Sequence, residues 1–222
     1  MVCILHTLGC GGVLAACTEG TTPHKVFWLL EILSYCAVDA FALISGYTAT
    51  DKMRKFEKLA DMWFQAFFYS FVITAILTIA GLNPEWNVKG LIKSALPVTF
   101  GVFWYFTAFF ALFFAIPVLN RFVFAVDEKA ARRAILLLMT LFSGMELLAG
   151  AFNTQGGYSA LWLMVLYCVG VLAKQGRVFE RRHSLTLIAV WIVCVLITWF
   201  VQVFIGSGLL TSYVSPTILA SG

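Results

Sequence analysis

The chain has 222 residues, is 61% hydrophobic and only 12% charged, and has a mean hydropathy of +0.92. That composition excludes a water-soluble globular domain, which is nearer half apolar and a quarter charged, and it points to a polytopic α-helical membrane protein with its apolar surface in lipid. The net charge of +4 does not indicate a nucleic-acid partner, because the basic residues fall in short loops between apolar stretches.

A stretch of about 17–25 apolar residues crosses the hydrocarbon core as a helix. By that measure spans are predicted at 1–17, 27–48, 59–81, 102–120, 134–151, 158–173 and 184–205, and an eighth apolar run begins near Leu209 and stops at Gly222. The expected fold is all-α: a transmembrane helical bundle of about seven spans plus the start of an eighth, forming one domain over 1–222. Met1 enters an apolar run with no basic flank, and the final PTILASG leaves a span barely begun. The domain is therefore expected to be incomplete at both ends.

The first span carries Cys3, His6 and Cys10, spaced by three and four on one helical face. No second Cys/His cluster exists to complete a tetrahedral site, so no metal is expected. Gly9 and Gly12 favour close helix packing instead. LAAC at 14–17 matches the pattern cleaved before a lipidated cysteine, but no Lys or Arg precedes it, and a signal peptide carries a positive n-region. All six cysteines lie in apolar stretches and read as small buried side chains.

The second span holds Glu31 and Asp39 and closes on Ser45-Gly46-Tyr47, within AVDAFALISGYTAT (37–50). Ionisable groups inside a bilayer are costly and mark candidate functional sites. Glu31 lies near the start of its span and is expected to reach the interface. His6 and Asp39 lie equally far in sequence from the middle of the intervening loop, near residues 22 and 23, so an antiparallel hairpin sets them at nearly equal depth. Packed directly, the Asp39 carboxylate accepts a hydrogen bond from one imidazole nitrogen and leaves the other a better base. The competing reading is an inert buried pair. Ser45 and Tyr47 offer hydroxyls near the span's end, and Gly46 permits close approach of a backbone or ligand.

Three loops fix the predicted orientation. Lys52, Arg54, Lys55 and Lys58, then Arg121, Lys129, Arg132 and Arg133, then Lys174, Arg177, Arg181 and Arg182 supply twelve of the fifteen basic residues, always on every second loop. The positive-inside rule places those loops, and the N-terminus, in the cytoplasm.

Further along, FWYFTAFFALFFAIPVLN (103–120) opens with Trp104 and Tyr105 at the external interface, by default an aromatic belt. Glu146, in FSGMELLAG near the external end of the fifth span, reads as a helix-interface acid. GGYSALWLMVLYCVG (156–170) carries Ser159 and Tyr167 into the sixth span, with helix packing as the simplest reading.

Taken in order, these segments resemble the membrane-bound acyltransferase 3 family of bacteria. VCILH resembles the family's apolar segment ending in histidine, VDAFALISGY its acid, aromatic and Ser-Gly-Tyr motif, FWYFTAFFALFFAIPVLN its Trp-Tyr/Phe…Pro-Leu-Asn segment, and GGYSALWLMVLYCVG its later Gly-x-Ser…Tyr-x-x-Gly span. The resemblance implies an O-acyltransferase of the bacterial plasma membrane that moves an acetyl or other acyl group from cytoplasmic acetyl-CoA (acyl-CoA) to a hydroxyl of a cell-surface or lipid-linked glycan. It implies His6 as the catalytic histidine, with Asp39 orienting it. Ser45, Gly46 and Tyr47 would line the donor's entrance, and Trp104, Tyr105 and Ser159 would contact substrate. The family's arginine upstream of that histidine has no counterpart, since only five residues precede His6. The alternatives are a permease-like domain for a small molecule such as an amino acid, and an inactive structural homologue.

Overall fold

The structure, a computed structural model, describes residues 1–50, 56–82, 88–145, 152, 157–180 and 184–205. Glu146 and the eighth apolar run lie outside the described residues.

Glycine decides the first element. Helix α1 (Val2–Leu5) runs into a π-helical turn, His6–Cys10, in which Gly11 N donates to His6 O at 2.8 Å across five residues. A Cβ on Gly11 would sit 2.3 Å from Thr7 O, so only glycine fits there. Gly12 then takes φ 75°, a left-handed conformation that stops a helix. One further turn, α2 (Val13–Ala16), follows before the chain extends at Cys17. The span predicted over 1–17 is thus an interrupted helix, because glycines at 9, 11 and 12 both weaken a helix and permit the turn.

The next helix, α3 (Thr22–Tyr47), opens with Pro23 in its first turn, where a missing N–H costs nothing. It is followed by α4 (Phe56–Ile79), the short α5 (Val88–Ala95) and α6 (Trp104–Val123). Then come α7 (Glu128–Met139), prolonged by a π-helical turn at Thr140–Gly144, α8 (Ala160–Gln175), and α9 (Ser184–Phe200), prolonged by another at Val201–Ile205. Every regular element among the described residues is helical. Four are long and apolar enough to cross a bilayer: Thr22–Tyr47, Phe56–Ile79, Trp104–Val123 and Ser184–Phe204. The chain is therefore a multi-pass helical membrane protein, with four candidate spans among the described residues against the seven predicted.

The sixth predicted span, 158–173, becomes the centre of the molecule. Helix α8 has only 16 residues, but Trp162, Leu163 and the run from Val165 to Ala173 are all buried. An all-round apolar helix can face either lipid or protein in a membrane, and here its neighbours bury it. Helices α3, α6 and α7 pack against it, while α1 and α9 pack on α3. The α3–α8 contact is backbone on backbone: a Cβ on Gly46 would meet Tyr167 O at 2.0 Å, and one on Gly170 would meet Leu43 O at 2.2 Å. Such small-residue crossings let helices approach closely in lipid, where dispersion and hydrogen bonds drive association. Helix α4 buries only Leu59 and Ser70 and presents Phe64, Phe68, Ile73 and Ile76 outward, as a lipid-facing helix does.

Four polar ties set the remaining helices. On the α6–α8 face, Tyr167 Oη donates to Asn120 Oδ1 at 2.7 Å. On the outer side of α3, Trp199 Nε1 donates to Lys25 O at 2.8 Å, and Lys25 Nζ lies 5.2 Å above the Phe204 ring. Near the C-terminal end of α8, Arg132 Nε donates to Gly176 O at 2.9 Å and Lys174 Nζ to Ala49 O at 3.3 Å. Basic residues of two predicted cytoplasmic loops thus fasten backbone at the same end of the bundle.

Candidate functional site

A cavity of about 540 Å³ opens where the first helical stretch, α3, the start of α6 and the segment before α8 converge. Its walls are built from one face of each. The π-helical turn brings His6, Gly9 and Cys10; α3 brings Glu31, Tyr35, Val38 and Asp39; and Trp104, Gly157 and Tyr158 close the far side. Cavities of this size suit small-molecule substrates. His6 lines it and is exposed, while Asp39, also on its wall, is only 1% exposed.

The sequence-predicted pair therefore meets in one cavity, though the hydrogen bond described at Asp39 comes from elsewhere. Trp162 Nε1, on α8, donates to Asp39 Oδ1 at 3.2 Å. Ser159 explains how Trp162 is placed: it caps α8, accepting from Trp162 N at 3.2 Å, which fixes the first turn.

The Gly9 position faces Glu31, whose Oε1 would lie 3.2 Å from a Cβ placed there. Residues 11–21 form a broken connection in which Gly12 and Gly20 both adopt positive φ. Glu31, expected at the interface, is instead 5% exposed and faces the cavity. Its depth in the span was legible in the sequence; the face it occupies depends on a neighbour that sequence pattern does not specify.

The aromatic residues divide. Trp104 stands edge-on to Tyr158 at 4.8 Å between ring centroids and walls the cavity. Tyr105 lies behind the wall, edge-on to Trp104 at 5.7 Å, stacking on Phe109 at 6.2 Å and tilting against Phe41 at 6.3 Å. Tyr35 and Tyr158 join the wall without having been singled out in the sequence.

Ser45-Gly46-Tyr47 lies at the opposite end of α3 from Thr22. Gly46 is filled against the α8 backbone, which leaves it no room to contact a ligand. Tyr47 is half-buried, its ring edge-on to Phe179 at 5.6 Å. Ser45 is half-buried.

A family model described as an acyltransferase domain matches residues 1–222. No curated protein matches the chain, and no solved structure does.

Proposed function

Since the chain belongs to the membrane-bound acyltransferase 3 family, and so is an acyltransferase for groups other than aminoacyl groups, we propose that it moves an acetyl or related acyl group from cytoplasmic acyl-CoA to a hydroxyl of a cell-surface or lipid-linked glycan. One observation carries the reading: His6 and Asp39, both unusual inside an apolar chain, line the same cavity. His6 takes the proton of the acceptor hydroxyl, and the acceptor oxygen attacks the thioester carbonyl carbon. The carbon–sulfur bond breaks, and CoA leaves as its thiol after recovering a proton. Trp104 and Tyr158 offer flat apolar faces of the kind that pack against sugar rings, while carboxylates accept from hydroxyls.

The donor's polyphosphate belongs with the basic loops, not in this cavity, whose described lining holds Glu31, Asp39 and no Lys or Arg. In this proposal the protein sits in the bacterial plasma membrane with its N-terminus in the cytoplasm, and the seven predicted spans complete the bundle. Ser45 and Tyr47 lie toward the donor side. The interrupted first helix favours a second reading, a permease, because transporters bind solute at broken helices.

Inside-out vesicles carrying the protein, supplied with acetyl-labelled acetyl-CoA, separate the two. Label entering the glycan or lipid-linked fraction with wild type but not with His6→Ala is the expected result. Label that persists in His6→Ala removes His6 from the chemistry. No label with folded wild type, together with solute uptake that needs no CoA, would replace the acyl-transfer reading with the permease.

A further inference from the structure

We infer that the cavity takes an acceptor sugar that bears hydrogen-bond donors and no negative charge, and that Glu31 makes this selection. The inference rests on the acceptor occupying this cavity during transfer. Glu31 is 5% exposed and lines the cavity, and its Oε2 has no hydrogen-bond partner among the described residues. A buried carboxyl oxygen without a donor is costly to leave unmet. A ligand hydroxyl or amine inside the cavity supplies that donor.

The rest of the wall suits a sugar ring and offers an anion nothing. Trp104 and Tyr158, edge-on to each other at 4.8 Å between ring centroids, bring apolar ring surface. Tyr35 and Tyr158 bring hydroxyls that both donate and accept, and Asp39 brings a second carboxylate. No Lys or Arg stands on the described wall. The sequence leading into Gly157, residues 146–156, contains neither. Lys25, the one lysine of α3, lies instead 5.2 Å above the Phe204 ring. His6 is the remaining nitrogen base on the wall, and it takes the acceptor's proton only while neutral.

Charge then sorts the acceptors. A carboxylate or phosphate entering the cavity would leave water for a wall with two carboxyl groups and no compensating cation, and a buried charge without a partner is expensive. A neutral ring exchanges its water for the wall's hydroxyls and carboxyl oxygens. An ammonium group gains a carboxylate partner. Of the two acids, Asp39 already receives the Trp162 indole N–H at Oδ1, so Glu31 is the one assigned to the ligand. Specificity of this kind comes from repelling the wrong ligand as much as from holding the right one.

The test measures binding and needs no acyl donor. Its probes are three methyl glycosides on one ring scaffold: a glucoside, a 2-amino glucoside and a glucuronide. Each is titrated by saturation-transfer NMR against the protein in nanodiscs of zwitterionic phosphatidylcholine, whose surface repels none of them. The amino glucoside should bind at least as tightly as the glucoside, and the glucuronide at least about tenfold more weakly. Glu31→Gln removes the charge and gains an amide N–H, so it should shrink that gap to about threefold, and Asp39→Asn should shrink it less. A glucuronide that binds as well as the glucoside, or a glucoside that does not bind, overturns the inference. So does a gap that Glu31→Gln leaves unchanged or that Asp39→Asn closes further. Should Glu31→Gln fail to fold, Glu31→Asp withdraws the carboxylate by one methylene and should weaken glucoside binding about threefold or more; an unmoved affinity there removes Glu31 from the ligand. In the vesicle assay, transfer to uronate-bearing glycans as readily as to neutral ones overturns the inference while upholding acyl transfer. Vesicles with no transfer at all end the proposed function and leave the binding comparison readable on its own.

Discussion

Replacing Gly46 with alanine tests how the site is held. The new Cβ would fall 2.0 Å from Tyr167 O, 2.9 Å from Tyr167 C and 3.1 Å from Gly170 Cα. Those atoms are backbone within a buried helix and cannot rotate aside. Reaching an ordinary contact near 3.4 Å requires α3 and α8 to part by about 1.4 Å. If α3 moves as a body, the 3.2 Å bond from Trp162 to Asp39 stretches to about 4.6 Å, beyond hydrogen-bonding range. Overpacking of this kind costs about 1–3 kcal/mol, and leaving the buried Asp39–Trp162 pair unsatisfied costs about 1–3 kcal/mol more. The expected loss is therefore about 2–6 kcal/mol, with acyl transfer falling in parallel because Asp39 lies on the cavity wall. Unfolding in mixed micelles, titrated with denaturing detergent and followed by tryptophan fluorescence, measures it. Gly170→Ala should cost a similar amount, and the double variant should cost at least about 1 kcal/mol less than the sum, since the helices part only once. Gly144→Ala is the control: among the described residues its Cβ meets nothing nearer than 3.9 Å, so it should not destabilise and should gain up to about 1 kcal/mol from helix propensity. A Gly46→Ala protein as stable as that control would refute the close crossing and the argument built on it.

Two further changes separate packing from chemistry. Tyr167→Phe removes the donor to Asn120 Oδ1 in the buried α6–α8 contact and should cost about 0.5–1.7 kcal/mol in the same unfolding assay. Adding Asn120→Leu should recover most of that loss, because both polar partners are then gone, and no recovery would show that the pair does more than satisfy itself. Ser159→Ala should cost about 1 kcal/mol through the lost cap on α8, with Ser159→Asp close to wild type. Transfer activity per folded molecule should be unchanged in both, and a selective rise in acceptor KM would make Ser159 a substrate contact after all.

His6 and Asp39 were conspicuous in the sequence because charge is expensive in lipid, and the structure brings both to one cavity. Glu31 met the same criterion but was assigned to the interface, since depth along a helix can be counted in residues while the direction a side chain faces cannot. The bond from Trp162 to Asp39 joins residues 123 positions apart, and neither residue's local pattern announces it. Tyr158 and Tyr35 were hidden for a similar reason, as ordinary aromatics among many until the fold placed them on one wall. Gly46 was visible as a place of close approach, but only the neighbouring helix shows that the approaching group is the α8 backbone.

The sequence by itself determined the membrane class, the all-helical architecture and the approximate places of α3, α4, α6 and α9. These follow from a local rule: the thickness of the hydrocarbon core demands an uninterrupted apolar run, and backbone groups without water demand a helix. Tertiary structure decided which helix lies at the centre, how the first span breaks, and that Glu31 is buried on the cavity wall. In water an apolar stripe would have revealed each buried face. In lipid a helix is apolar on its outside as well, so the hydropathy pattern carries no record of which side meets protein, and only the packed bundle supplies it.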